Sequence, residues 1–286
     1  MSVLSGILVD GISYGMILFM ISVGLSVTMG LMRVINLAHG GFALLGGAFA
    51  HWLTTVAGIG FVPALVLAIG AVMVIAIPME VVFYRRIYRF SELQQVLATI
   101  GITFLMIAGV NLWLGSTLLP IAVPDLLSRP IDLGFRTLPV HRLVVIITGL
   151  AVVAGLYVLL ERTRFGINLR AAVDNRNMAA SLGINTARLY ALTFSLGAGL
   201  AALGGILGAE LLPIDAYYPL RYMVLFLVVV AVGGLGSIAG SFLAAIGLGI
   251  VDTAARYILP DFGTIFFFVV MIAVLMIRPH GLMGKE

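Results

Sequence analysis

Four polar side chains, Arg170, Asp174, Asn177 and Ser181, recur at steps of four, three and four residues. On a helix that spacing sets them in one stripe. A cation, a carboxylate, an amide and a hydroxyl in a row offer recognition of a partner surface. They offer no bond-breaking chemistry, because the chain shows no HExxH sequence and no nucleophile–base pair at helical spacing. The stripe lies in Glu161–Arg188, ERTRFGINLRAAVDNRNMAASLGINTAR, the longest polar run of the chain. Ala172, Ala179 and Leu182 fall on the opposite side, and Gly183 follows as a C-cap, in the left-handed turn that ends helices. The run therefore predicts a short amphipathic helix held between two apolar segments. It is either an ordinary solvated loop helix or a handle by which a soluble partner moves the rest.

A second group of polar side chains sits inside apolar surroundings. Ser22, Ser26 and Gly30 are spaced by four and form a small face suited to close helix contact. His39 follows Asn36, which is placed to cap the next helix. His39 reads as a packed histidine bonded near that helix start, with direct solute contact as the alternative. Thr99, Thr103 and Asn111 share roughly one face, either a polar seam between helices or part of a solute path. Ser22, Ser26, His39, Thr99 and Thr103 are accordingly the candidate path residues.

Composition decides what kind of scaffold positions these groups. Of 286 residues, 62% are hydrophobic and 10% charged. A soluble globular protein carries roughly 25% charged residues, so most of this surface must face lipid. The mean hydropathy of +1.20 agrees. No linker-like stretch divides the chain, so residues 1–286 are expected to form a single membrane domain. The absence of cysteine excludes disulfides, thiolate metal sites and cysteine nucleophiles. The one lysine, Lys285, closes the chain and opens no helix. A phosphate-binding P-loop needs a lysine after its glycines, so this polypeptide does not hydrolyse ATP by that route. No catalytic residue, cofactor or metal site is expected. The sequence pI near 9.6 reflects fifteen arginines spread through loops flanking apolar segments, which is membrane topology rather than nucleic-acid binding.

The apolar segments predict an all-α, polytopic bundle. Spans are expected at Ile7–Gly30, Asn36–Val56, Phe61–Phe83 with a kink at Pro78, Gln95–Leu114, Val140–Leu160, Asn185–Ala209, Ser237–Tyr257 and Phe262–Ile277. Tyr222–Leu235 is short for a crossing and reads as a full span or a re-entrant leg, giving nine or eight crossings. The first basic residue is Arg33, so the first apolar segment reads as a retained span rather than a cleaved leader. Glu80 is expected to pair with the arginines at 85, 86 and 89, and Asp252 with Arg256. Small-residue ridges, Gly197/Ala201/Gly205/Ala209 and Ser241/Ala245/Gly249, are expected to pack helices closely. Loops 115–139 and 210–221 lie on one side; Leu118–Val123 and Ile131–Leu138 suggest a small hairpin in the first. Placing segment 161–188 inside puts eleven basic residues on the cytoplasmic side, Arg33 and Lys285 among them. Five, Arg129, Arg136, Arg142, Arg221 and Arg256, lie outside. The N-terminus is then external and the C-terminus cytoplasmic.

Four motifs in order resemble a known family. They are Ser22-Val-Gly-Leu25 with Arg33-Val-Ile-Asn-Leu-Ala-His-Gly40; Thr163-Arg-Phe-Gly166 with Arg170-Ala171 and Ala179-Ala-Ser-Leu-Gly-Ile-Asn185; Ala231-Val-Gly-Gly-Leu-Gly-Ser-Ile-Ala-Gly240; and Arg278-Pro-His-Gly-Leu-Met-Gly284. Together they resemble the H-type permease subunits of branched-chain amino-acid ABC importers over nearly the whole length. The chain departs from that pattern at Tyr84-Arg85-Arg86, where the family often has proline; its Ala179-Ala180 to Gly183 spacing is one residue tighter than the general importer coupling motif and lacks the glutamate before it. The resemblance implies a fold similar to ribose- and vitamin-type importer permeases, working by alternating access. It implies an M-type permease partner, two ATPase subunits and a periplasmic or lipid-anchored solute-binding protein, with membrane lipid around and a small-molecule solute within. The bacterial or archaeal cytoplasmic membrane is the implied location. It assigns ATPase coupling to the region of Arg170, Asp174, Asn177, Ala179, Ser181 and Gly183. The rival reading is a stand-alone secondary transporter or channel. Glu80, Glu210, Asp215 and Asp252 all map near membrane edges, which counts against that rival.

Overall fold

A computed structural model describes residues 2–32, 36–132, 137–260 and 263–284. Arg33, Val34 and Ile35 of the first motif, Arg136 and Lys285 of the charge count, residues 133–136 of the expected hairpin, and Phe262 lie outside the described residues.

The chain folds as helices with one small hairpin. In order these are α1 (Ser2–Met32), α2 (His39–His51), α3 (Phe61–Met79), α4 (Arg85–Ile87), α5 (Glu92–Leu114) and α6 (Asp125–Ser128). Next come β1 (Pro130–Asp132), β2 (Thr137–Pro139), α7 (Val140–Glu161), α8 (Arg164–Asp174) and α9 (Arg176–Ser181). Last are α10 (Thr186–Gly208), α11 (Tyr218–Gly233), α12 (Ile238–Ile258) and α13 (Gly263–Ile277). Among the described residues, six helical stretches are long and apolar enough to cross a membrane, and α11 and α13 are shorter apolar helices.

The core is built around α1. Met16, Ile17, Leu18, Phe19, Ser22 and Leu25 are all at most 2% exposed, so every side of this helix is covered. It runs antiparallel to α12 and α10, and glycines let the backbones close. A Cβ on Gly249 would lie 2.6 Å from the Gly11 carbonyl oxygen, and one on Gly197 3.1 Å from that of Gly24. Helix α2 meets α10 the same way, Gly46 against Ala202 and Gly205 against Ala43. Lipid supplies no hydrophobic drive between helices, so this close packing is what holds the bundle. The two expected ridges are therefore contacts, the α10 ridge dividing its glycines between α1 and α2.

Several local expectations are corrected. Pro78, the expected kink, sits inside α3, two residues ahead of a π-helical turn at Glu80–Tyr84. A second π-helical turn, Trp52–Val56, prolongs α2. Asn36 does not cap α2, which starts after Ala38; its Oδ1 accepts from Ala38 N at 3.1 Å and from the Tyr84 hydroxyl at 2.8 Å. Helix α11 begins at Tyr218, four residues earlier than expected, because Pro219 suits a helix's first turn. The hairpin pairs Ile131 with Leu138. Leu118–Val123 forms no strand, and Leu119 instead donates to the Ile214 carbonyl at 2.8 Å, tying loop 115–139 to loop 210–221.

Two ends follow from these contacts. Gly30 meets Gly236, and Leu282 and Met283 donate to the Val232 and Gly233 carbonyls at 2.8 and 3.1 Å. The second and third of these contacts join the two late glycine motifs; φ is +96° at Gly234 and +79° at Gly281, a region only glycine enters freely. The end carrying 161–188 is thus shared with the C-terminal tail. At the other end Arg142 and Tyr257 both engage Asp10, and Arg256 pairs with Asp252 at 2.7 Å as expected.

Candidate functional site

Segment 161–188 is two short helices, not one. Thr163 caps α8 by accepting from Gly166 N. At Asn175 the backbone is extended (φ −149°, ψ 98°), and its Oδ1 accepts from Met178 N at 3.0 Å to start α9. An asparagine that offers its own side chain to the following backbone competes with the continuing helix, so the break sits there. Gly183 then takes φ +85°, with Gly183 N bonded to Ala180 O at 3.0 Å and Ile184 N to Ala179 O at 3.1 Å. Those are the two bonds of a Schellman turn, so the expected glycine stop is present. Asn185 caps α10 through Arg188 N at 2.9 Å.

A separate small core clamps this hairpin to the spans. Leu169, Ala172 and Ala179 are 1–2% exposed and pack with Leu189 and Tyr190 of α10. The Tyr190 hydroxyl donates to the Ala172 carbonyl at 3.0 Å, and the Arg176 guanidinium lies 5.3 Å over its ring. Gly166 lies directly against the Leu160 backbone of α7. Arg170 donates to the Leu160 carbonyl at 2.6 Å and pairs with Glu161 at 3.1 Å. At the exit of α3, Glu80 pairs with Arg85 at 3.1 Å as expected; Arg85 also donates to the Ala187 carbonyl at 3.3 Å. A push on α8 or α9 therefore reaches α7 and α10 directly, and the exit of α3 through the Arg85 bond to α10.

The break at Asn175 divides the expected stripe. Arg170 and Asp174 end α8, while Asn177 and Ser181 belong to α9, so they do not form one continuous helical face. Asp174, Asn177, Ser181 and Gly183 are exposed, and the Ser181 hydroxyl donates to its own helix at Asn177 O. Arg170 is half-exposed but spent on α7, so it positions the hairpin. Ala179 is buried and touches no outside surface. Leu182, expected on the packed side with Ala172 and Ala179, is 74% exposed instead; the Schellman turn swings it outward. With Met178, 59% exposed and one turn earlier, it forms an apolar pair on a hairpin surface that is otherwise largely polar apart from Ile167 on α8. Sequence reasoning missed this pair, although the four-residue spacing of Met178 and Leu182 was there to find.

The five candidate path residues are all buried, at 0–3% exposure. Thr99 Oγ1 accepts from Leu37 N at 3.2 Å, and Thr103 Oγ1 donates to Leu37 O at 3.3 Å. His39 Nε2 lies 3.1 Å from the Ile21 carbonyl oxygen. With Asn36 and Tyr84, the two threonines satisfy residues 36–38, the non-helical stretch just ahead of α2, a requirement in lipid where no water replaces a missing partner. Thr99 and Thr103 thus bond the backbone just ahead of α2, and His39 is buried against α1. The Ser22 and Ser26 hydroxyls have no hydrogen-bond partner among the described residues.

Comparison with known proteins accords with this architecture. The family model described as branched-chain amino acid transport system / permease component matches residues 7–275. The high-affinity branched-chain amino acid transport system permease protein LivH of Escherichia coli K12 is 28% identical, covering 96% of this chain and 94% of its own. Its counterpart BraD of Pseudomonas aeruginosa is 27% identical, covering 97% and 95%. A probable branched-chain amino acid transport permease protein LivH of the archaeon Methanocaldococcus jannaschii is 26% identical, covering 98% and 92%. No solved structure matches the chain. A bundle of apolar helices, the four motifs in order and a match from residue 7 to residue 275 place this chain in the family of branched-chain amino-acid transport permeases.

Proposed function

We propose that this chain is the membrane permease subunit of an ATP-binding-cassette importer that carries branched-chain or related hydrophobic amino acids inward by alternating access. The single observation that carries the mechanism is the hairpin α8–α9. It is fused to α7 and α10 by its own small core, yet it holds Met178 and Leu182 out of that core. An apolar pair among arginines is the chemistry of a docking knob, an apolar centre with a polar rim. Separate ATPase subunits would grip this knob. Their closure on ATP would rock the hairpin and, through Arg85 and Arg170, the spans attached to it. Rigid helices packed through glycines suit rocking as whole bodies.

Nine crossings follow if α2 with its π-helical turn, α11 and α13 each cross along with the six long spans. An odd number is supported by the contacts that bring residue 30, the 234–237 turn and the tail to one end, and Asp10, Arg142 and Tyr257 to the other. By the arginine bias the 161–188 end is cytoplasmic and the N-terminus external. The remaining partners are an M-type permease and an external solute-binding protein, in a fold like that of ribose- and vitamin-type importers. The test is reconstitution of permease pair, ATPases and binding protein in liposomes. ATP-dependent leucine uptake that vanishes when the ATPases are omitted is expected. Equal uptake by this chain alone would replace the importer by a stand-alone carrier.

A further inference from the structure

At the end of the bundle opposite α8–α9, loops 115–139 and 210–221 border a cavity of about 480 Å³. That lies within the ~300–1,000 Å³ of small-molecule sites. Its walls are largely aliphatic, with Leu119, Ile121, Ile206 and Ile214 among them. Two ionisable side chains also line it, His141 at the start of α7 and Glu210 just beyond α10. His141 is 4% exposed, and its Nδ1 lies 3.3 Å from Oε2 of Glu210. No hydrogen bond among the described residues takes Oε1. The hydrogen bond from His141 holds the Glu210 carboxyl below the ordinary carboxylate range, ahead of the opposing effect of burial. The nearby guanidinium of Arg142 is already engaged by Asp10. The Glu210 side chain is 44% exposed, so its second oxygen is open to a positive group that enters the cavity.

We propose that this cavity binds an aliphatic ammonium compound, its carbon body among Leu119, Ile121, Ile206 and Ile214 and its nitrogen donating to Glu210. A branched-chain amino acid meets that description by its side chain and α-ammonium, so the cavity is an outer waiting position for the solute. That last step rests on the importer reading; the binding of an amine does not.

The test uses the full chain in lipid nanodiscs and two probes with one carbon skeleton and opposite charge, 3-methylbutylamine and 3-methylbutanoate. Titration calorimetry is expected to show the amine binding and the acid not. Glu210→Gln is expected to weaken the amine at least tenfold, and Ile121→Trp, which fills the chamber while leaving the charge, to abolish binding. Thermal unfolding of each variant reports whether it is folded. Failure of the folded wild-type chain to bind the amine, equal binding of both probes, or a change under twofold in folded Glu210→Gln overturns the proposal. The last two results would mark a cavity for lipid acyl chains only. ATP-driven uptake with no amine binding removes this site and spares the importer reading. Amine binding in a complete assembly that shows no ATP-driven uptake does the reverse.

Discussion

Truncating Leu182 to alanine separates docking from folding. The side chain is 74% exposed in the free chain, so its loss should change the chain's own stability by no more than about 0.5 kcal/mol, as for other surface positions. Leucine exceeds alanine by three carbons, worth ~0.8 kcal/mol each when buried, or ~2.4 kcal/mol in full. Roughly three-quarters of that area remains for a partner to cover, which leaves ~1.8 kcal/mol and about a 20-fold weaker association. The assay titrates purified ATPase subunits onto the permease in nanodiscs, wild type against Leu182→Ala, with thermal unfolding measured in parallel. The expected result is a dissociation constant raised 10- to 30-fold at an unchanged unfolding midpoint. A constant within threefold of wild type would refute the docking knob. So would a large fall in unfolding midpoint, because it would mean that Leu182 packs within the chain after all.

Other expectations follow from single contacts. Arg170→Ala removes the bond to Leu160 O and the pair with Glu161; both are half-exposed, so stability should fall by under about 1 kcal/mol while solute-stimulated ATPase activity drops, a drop that Arg170→Lys partly restores. Gly205→Val places carbon about 2.6 Å from the Ala43 carbonyl oxygen. Overpacking costs ~1–3 kcal/mol or more, so a lower unfolding midpoint or lost membrane accumulation is expected, whereas Gly101→Val, in open space, should leave both unchanged. Thr99→Val with Thr103→Val strips the Leu37 linker of both side-chain bonds. At ~1 kcal/mol per bond, thermal unfolding should shift downward with the solute preference unaltered, and a changed preference would return these threonines to the path.

Much of the bundle was legible because lipid makes the rules simple. Long apolar runs have one solution, and the small-residue ridges at 197–209 and 241–249 have one use. Gly183 was readable for the same reason, since a residue without Cβ just past a helix pattern marks the left-handed stop. The break at Asn175 was harder. Helical spacing runs unbroken across it, and the local side-chain bond to Met178 N that wins there is a matter of a single residue. Leu182 was misplaced as a consequence, because its direction depends on the turn rather than on the helix period. Asn36 shows a related limit: it closes a local turn on Ala38 N, and its other partner, Tyr84 on the π-helical turn after α3, is supplied only by tertiary packing. Nor did spacing show which backbone Thr99 and Thr103 bond, because Leu37 is more than 60 residues away in sequence.

The chain contains no cysteine, so one introduced thiol reports one position. Leu182→Cys and, as a control at the opposite end, Pro213→Cys can each be treated with a short bifunctional thiol–amine reagent in the assembled transporter, with and without ATP. The expected result is a covalent adduct between Leu182→Cys and the ATPase subunit, its yield changing with nucleotide, and no ATPase adduct from Pro213→Cys. A Leu182→Cys thiol that reacts with aqueous maleimide equally in the free permease and in the full assembly, and that never joins the ATPase, would contradict the claim that a soluble motor moves this bundle by the α8–α9 hairpin.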